Sequence, residues 1–194
     1  ITASTNVFAS TDVGRFVAFR DGFAKITAFS SATSVSVDIT KNFASTSSTT
    51  EWQLGAFSDT QGHPSCVSFF EQRLVFAGTI SEPQTLYFSK SGDYENMTTG
   101  TNADDAMVYT IASNQVNRIR YLKSQRTLIV GTTGGEFTVS ADGTDAAITP
   151  TNIVIKKQSS YGTANVDAIP AGNSVLFLQK AKRKIRELSY NFDT

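Results

Sequence analysis

Apolar and polar residues alternate in short runs along this chain. No stretch of about 11 residues or more keeps the i, i+3, i+4, i+7 spacing of an amphipathic helix. Residues 34–40 alternate strictly, which places Val35, Val37 and Ile39 on one face of a strand. Residues 14–20 and 23–29 flank Asp21-Gly22, a dipeptide suited to a tight hairpin turn. The segment 44–50 is small, polar and nearly uncharged, and it reads as a linker or exposed loop. The pattern therefore predicts a small β module over 1–50 and a boundary near residue 50.

Beyond that boundary the chain repeats. Glu71-Gln-Arg-Leu-Val-Phe-Ala-Gly-Thr79 is echoed by Ser124-Gln-Arg-Thr-Leu-Ile-Val-Gly-Thr132, and more loosely by Gly172-Asn-Ser-Val-Leu-Phe-Leu-Gln179. Arg73 to Arg126 is a step of 53, and Arg126 to Asn173 a step of 47. Each copy leads through a turn into a second strand, at 85–89, 135–140 and 184–190, and further strands precede the later copies at 117–122 and 166–169. A period near 50 with about four short strands per copy is the signature of propeller blades, because a lone sheet cannot bury both of its faces. The expectation is about three blades over 51–194. A closed ring needs at least about four blades, so either further copies lie outside this sequence or the copies stack as an open sandwich. Trp52, Phe57, Phe70, Leu74, Phe76, Leu128, Val130, Phe137, Leu176, Phe177 and Leu188 are the expected core. Gly78 and Gly131 are expected at a bend or a close backbone approach.

Composition supports sheet. Among 194 residues there are 14 Phe and 6 Tyr, and Ser and Thr abound while straight-chain helix formers are scarce. Lys plus Arg and Asp plus Glu are each 17, so net charge gives no whole-molecule attraction to nucleic acid. One cysteine excludes an intrachain disulfide and a cysteine-based zinc cluster. No apolar run approaches the roughly 18 residues of a membrane span, and no signal-peptide pattern opens the chain. It starts on Ile1 and stops at Asn191-Phe-Asp-Thr194, and reads as a piece of a longer protein.

Candidate chemistry is sparse. His63 and Cys66 could form a nucleophile–base pair; an isolated His before Pro64 in a loop reads instead as a surface residue, and Cys66 on a strand as an inert buried thiol. Asp93, Glu95, Asp104 and Asp105 share one connection, where paired acids about 5–10 Å apart would serve glycoside cleavage and oxygen ligands would suit Ca²⁺. Solvated loop acids are the simpler reading, as is a turn for Asp142-Gly-Thr-Asp145. No cofactor or metal is assigned. Gly131-Thr-Thr-Gly-Gly135 lacks the Gly-Lys-Ser/Thr ending of a phosphate cradle and reads as a hairpin. Lys180, Lys182, Arg183, Lys184 and Arg186 form the only charge concentration. On a strand, Lys180, Lys182, Lys184 and Arg186 would share a face for an acidic neighbour or for phosphates, or would guard a sheet edge.

One family shares several of these runs. Trp52-Gln-Leu-Gly-Ala-Phe-Ser58, Gly62-His-Pro64 and Phe69-Phe-Glu-Gln-Arg-Leu-Val-Phe-Ala-Gly78 resemble a stretch of the tail tubular or nozzle proteins of short-tailed bacteriophages. So do Pro83, Ser89-Lys-Ser-Gly-Asp-Tyr94, Asp104-Asp-Ala106, Gly131-Thr-Thr-Gly-Gly-Glu-Phe137 and Arg186-Glu-Leu-Ser-Tyr190. Residues 1–50 are similar to the small barrel catalogued with the first catalytic cysteine half-domain of ubiquitin-activating enzymes; Cys66 lies outside that module, so the likeness carries no chemistry here. Departures are Lys180-Ala-Lys-Arg-Lys184, where a Gly-containing turn is expected, and Met97, where an aromatic is commoner. The resemblance implies a non-enzymatic ring subunit of a virion tail, with a β-propeller on its flank. Its partners would be copies of itself, neighbouring tail proteins and, non-specifically, the DNA in the channel, with no membrane contact. Two other classes remain: a glycan-degrading tail propeller using acids of the 93–105 region, and a glycan-binding module.

Overall fold

Hairpins dominate from end to end. In the computed structural model, which describes residues 1–113, 117–143 and 146–189, every regular element is a β-strand except a short 3-10 turn at Ser10–Asp12. The chain is all-β. It divides into two compact units, Ile1–His63 and Pro64–Thr194. Thr144, Asp145, Tyr190 and residues 191–194, which figure in the sequence reading, lie outside the described residues.

In the first unit, β1 (Phe16–Phe19), β2 (Gly22–Ser31), β3 (Ser34–Lys41) and β4 (Gln53–Leu54) make an antiparallel sheet in the order β3-β2-β1-β4. The first hairpin turns one residue earlier than its Asp-Gly dipeptide suggests. Arg20 and Asp21 take the left-handed positions, at φ 45° and 59°, and Gly22 already pairs with Phe19. Gly22 is needed for space instead: a Cβ there would stand 2.6 Å from the Phe43 backbone, and Phe43 stacks on Phe19 at 4.0 Å. Val35 is buried and Val37 half-buried, whereas Ile39 is exposed. The chain past residue 50 still belongs here, because β4 pairs with β1 and the Arg15 Nε donates to the Gly55 carbonyl at 2.5 Å. Trp52 accordingly packs on Phe8, ring centroids 5.9 Å apart, and the unit ends at His63 rather than near residue 50.

The second unit contains three antiparallel meanders, each laid down in chain order. The first is β5 (Cys66–Phe70), β6 (Arg73–Ala77), β7 (Thr85–Phe88) and β8 (Met107–Thr110). The second is β9 (Ile119–Ser124), β10 (Leu128–Thr132), β11 (Gly135–Ala141) and β12 (Ile153–Ser159). The third is β13 (Ile169–Ala171), β14 (Ser174–Leu178) and β15 (Ile185–Ser189). Strand β10 is buried along its whole length because the middle sheet is covered on both faces. Leu128 and Val130 meet Val75, Ala77, Leu86 and Phe88 of the first sheet. Ile129 and Tyr121 meet Val175 and Phe177 of the third.

The leading strands β5 and β9 run side by side in the same direction. At one end Gly78, which follows the strand paired to β5, lies against the Ile119 carbonyl; at the other, Ser68 Oγ meets Ser124 Oγ at 3.0 Å. Face parity then fixes how the repeats correspond. Val75 points at the next sheet, as Ile129 does, while Leu128 points back at the previous one, as Val175 does. The true step is therefore Leu74 to Leu128, 54 residues, followed by Leu128 to Val175, 47. The expected step of 53 is off by one, and in a strand a one-residue slip exchanges the two faces.

That slip reassigns part of the expected core. Phe70, Leu128, Val130, Phe137 and Phe177 are buried. Leu74, Phe76 and Leu176 instead lie half-buried on outward faces. Leu188 is half-buried against Val175 and Phe177, and Trp52 and Phe57 are half-buried in the first unit. Both repeat glycines sit at close approaches. Gly78 has φ 76° with Ser65 Oγ 2.6 Å from its would-be Cβ, and Gly131, inside β10, lies under the Tyr121 ring.

Candidate functional site

The acidic connection between β7 and β8 is built around an arginine. Arg73 is 2 % exposed, since its position on β6 points between the first two sheets. Its Nη1 donates to the carbonyls of Ser89 (2.8 Å), Asp105 (2.7 Å) and Asp104 (3.3 Å), and its Nη2 to that of Ala103 (2.6 Å). Burial pulls the guanidinium down from its ordinary value, opposed by Asp104, Glu71 and Asp105. The carboxylates of the loop are engaged locally. Asp104 and Asp105 lie 2.9 and 3.6 Å from Lys90 Nζ, and Asp105 Oδ2 also accepts from the Asn102 amide. The hydrogen bond from Lys90 holds Asp104 below the usual carboxylate range, and the same bond raises Lys90. Asp93 and Glu95 are exposed. Lys90 is thus the cation that engages both Asp104 and Asp105.

His63 and Cys66 have separate local roles. His63 Nε2 lies 3.1 Å from Asp59 Oδ1 on an exposed turn. Cys66 is buried at the start of β5, with Ser65 Oγ 3.7 Å from its sulfur, and burial pushes its thiol up. A thiol moved that way carries less thiolate at neutral pH and is a poorer nucleophile.

Gly131-Thr-Thr-Gly-Gly135 forms the β10–β11 hairpin. Thr132 Oγ1 donates to the Gly135 carbonyl at 2.7 Å and ties the turn. Across it stand two residues that the sequence did not single out. Gly131 pairs with Tyr121 on one side and Glu136 on the other, so these side chains flank it on one face. Glu136 is fully buried; Oε2 accepts from the Ser159 hydroxyl, while Oε1 and the Tyr121 hydroxyl have no hydrogen-bond partner among the described residues. Burial pushes the Glu136 carboxyl up despite Ser159 and the backbone amides of Gly162 and Tyr161. Only a Gly-Glu step in an otherwise uncharged hairpin hinted at this in the sequence.

The basic run is a turn rather than a strand face. Strand β14 ends at Leu178 and β15 begins at Ile185, so of Lys180, Lys182, Arg183, Lys184 and Arg186 only Arg186 is on a strand. The Gln179 amide donates to the Lys184 carbonyl at 2.9 Å, and Lys182 adopts φ 57°, doing the work of a glycine. Lys180, Lys182, Arg183 and Lys184 are exposed. Arg186 is held back: its guanidinium stacks 4.0 Å from the Tyr161 ring centroid and Nε donates to Gln179 Oε1 at 3.2 Å. The turn thus offers four exposed cations, with no ion pair among the described residues, beside an anchored fifth.

Two further sheet faces carry apolar rows. On the first sheet Val67, Phe76, Tyr87 and Val108 form one row across all four strands, with Phe69 beside Leu74 in the next. Val67 and Phe69 are each 59 % exposed, and Tyr94 packs edge-on against Phe69 at 5.1 Å. On the third sheet Ile169 pairs with Leu176 and Leu178 with Ile185, Ile185 being 73 % exposed. Among the described residues no group of three His, Cys, Asp or Glu is placed to hold a metal, and no helix is long and apolar enough to cross a membrane. No protein-family model matches the chain, and no curated protein matches it either.

Proposed function

We propose that this chain is a structural subunit of a phage or prophage tail, a part of the tube or nozzle ring that works by protein–protein assembly around a DNA channel. The observation that carries the reading is the run of three antiparallel meanders in chain order, with equivalent faces packed one onto the next. In this reading the meanders are propeller blades. The four exposed cations of the β14–β15 turn serve contacts with acidic neighbours in the tail. No residue carries catalysis; the chain is not an enzyme, and its place is the virion. The tail identity itself draws on the sequence runs from Trp52 to Tyr190 that resemble tail tubular and nozzle proteins. The test is immunogold labelling of induced phage particles with antibody against the chain. Gold clustered at tail ends is expected, and unlabelled tails would overturn the reading.

A second reading is favoured by a cleft of about 700 Å³ in the second unit, lined by Thr110, Ser113, Asn117, Phe137, Ile155 and Lys157. Hydroxyl, amide and ammonium groups along such a cleft suit a sugar. A glycan array distinguishes it: a single saccharide class retained by the wild-type chain and lost in Asn117→Leu supports glycan binding.

A further inference from the structure

The cleft of about 700 Å³ is bordered by Lys157, the one charged side chain among its described lining residues, and by Ser160. From Ser160 a basic surface leads away from it. Tyr161 follows, 49 % exposed, with the Arg186 guanidinium 4.0 Å from its ring centroid. Gly162 comes next. The Cβ that it lacks would stand 2.4 Å from the Thr133 carbonyl and 3.3 Å from the amide nitrogen of Gly134, itself a residue of the cleft wall. The Gly162 carbonyl accepts from the Lys180 amide at 2.9 Å, which sets the β14–β15 turn beside the cleft. Residues 157–163 and 178–186 carry Lys157, Lys180, Lys182, Arg183, Lys184 and Arg186 and no Asp or Glu. Lys157 and the four turn cations are exposed and form no ion pair among the described residues. Two acids adjoin these segments without joining the surface. Glu136, which takes the Ser159 hydroxyl, is fully buried, and Glu187 lies on the opposite face of β15 from Arg186.

We propose, resting on the glycan-binding reading of the cleft, that its ligand is an acidic saccharide. One sugar sits in the cleft with its anionic group on Lys157, and the following units run past Tyr161 to the β14–β15 turn. The cleft supplies groups for a sugar ring, the hydroxyls of Thr110, Ser113 and Ser160 and the amide of Asn117. An ammonium without an ion-pair partner gives up little on taking a carboxylate or sulfate, and a cleft wall screens that pair less than open surface does. Cations that continue beyond the cleft attract each further acidic unit, so affinity grows with the length of the saccharide. Nucleic acid suits the surface less well, because Tyr161, the aromatic ring between cleft and turn, is stacked against Arg186 instead of standing free as a platform for bases.

An array of neutral, carboxylate-bearing and sulfate-bearing oligosaccharides, with duplex DNA spotted beside them, tests it on the full chain. Retention confined to acidic saccharides is expected, the carboxylate or sulfate spots naming the source of the charge. Binding of the longest members should weaken as salt is raised. Lys157→Met should weaken the retained saccharide by about tenfold or more, and Lys157→Arg should keep it. Lys182→Glu combined with Lys184→Glu should weaken long saccharides by about tenfold or more and leave a disaccharide within about twofold. All three positions are exposed, so these variants should keep the wild-type melting temperature; Lys157→Gln replaces Lys157→Met if it does not. Neutral saccharides retained as well as acidic ones, or acidic retention untouched by Lys157→Met, overturn this proposal and leave the glycan reading standing. DNA held more tightly than any saccharide overturns the saccharide as occupant. An array with no retained saccharide overturns both.

Discussion

Tyr121 lies over Gly131 so closely that a Cβ at residue 131 would overlap its ring. The two residues pair across β9 and β10, and the ring then reaches Phe177 of the third sheet at 6.3 Å. A missing side chain on one strand thus makes room for the ring that joins two sheets. Gly131→Ala is expected to destabilise the chain by about 2–3 kcal/mol through overpacking. Gly92→Ala, where no atom lies within 4 Å but φ is 73°, should cost only about 1 kcal/mol. Urea unfolding of both variants checks the contrast.

Arg73 gathers four carbonyls, those of Ser89 and residues 103–105, and the Asp104 carbonyl also accepts from the Ser91 amide at 2.9 Å. Arg73→Met removes the guanidinium donors from the Ser89, Ala103 and Asp105 carbonyls and should cost about 3–5 kcal/mol. Arg73→Lys should recover little, because an ammonium cannot reproduce the planar fork. Hydrogen exchange should show faster exchange over residues 89–106 in both variants, and wild-type protection there in Arg73→Lys would contradict the role.

Glu136 makes stability depend on pH. Burial raises its folded carboxyl above the ordinary 4.5, so between the two values the folded state binds more protons than the unfolded one. Stability from this group is present at low pH and is lost as pH rises through the folded value. Glu136→Gln removes the charging step and can donate its amide toward the unpartnered Tyr121 hydroxyl. The melting temperature of the variant relative to wild type should rise from about pH 4 to about pH 8. A constant difference across that range would contradict the buried carboxyl.

The basic turn is expected to act on protein neighbours, so DNA retention should be weak. Lys182→Glu combined with Lys184→Glu should leave any salt-dependent retention on DNA-cellulose unchanged within about twofold, and should leave the melting temperature unchanged, since both side chains are exposed. Strong wild-type retention that vanishes in the variant would move the turn to the DNA channel.

Much of this fold was legible in the residues, and the failures have physical causes. Val35 and the 85–89 run lie in strands β3 and β7, and Leu128, Val130 and Phe137 are core, because alternation or a continuous apolar run marks them. The side of β6 was not legible: Leu74-Val-Phe-Ala77 is apolar at every position, so period two cannot say which face is buried. Matching arginines, Arg73 with Arg126, suggested one register, yet Arg73 is enclosed by carbonyls, while the parity of Leu128 and Ile129 sets another. The boundary near residue 50 failed because β4 is two residues long, too short to show a pattern. Arg73 stood out only as a repeat marker and Glu136 only as a Gly-Glu step, because a swallowed charge is recognised by what surrounds it.

Placing β5 beside β9 is what joins the first two meanders into a stack, and a cross-link reads it directly. In a Cys66→Ala background, Ser68→Cys with Ser124→Cys puts two thiols where the hydroxyls now lie 3.0 Å apart. Oxidation should close an intramolecular disulfide in nearly every molecule, leaving no alkylatable thiol. Two thiols that stay free under oxidising conditions, or that join only between chains, would contradict the stack.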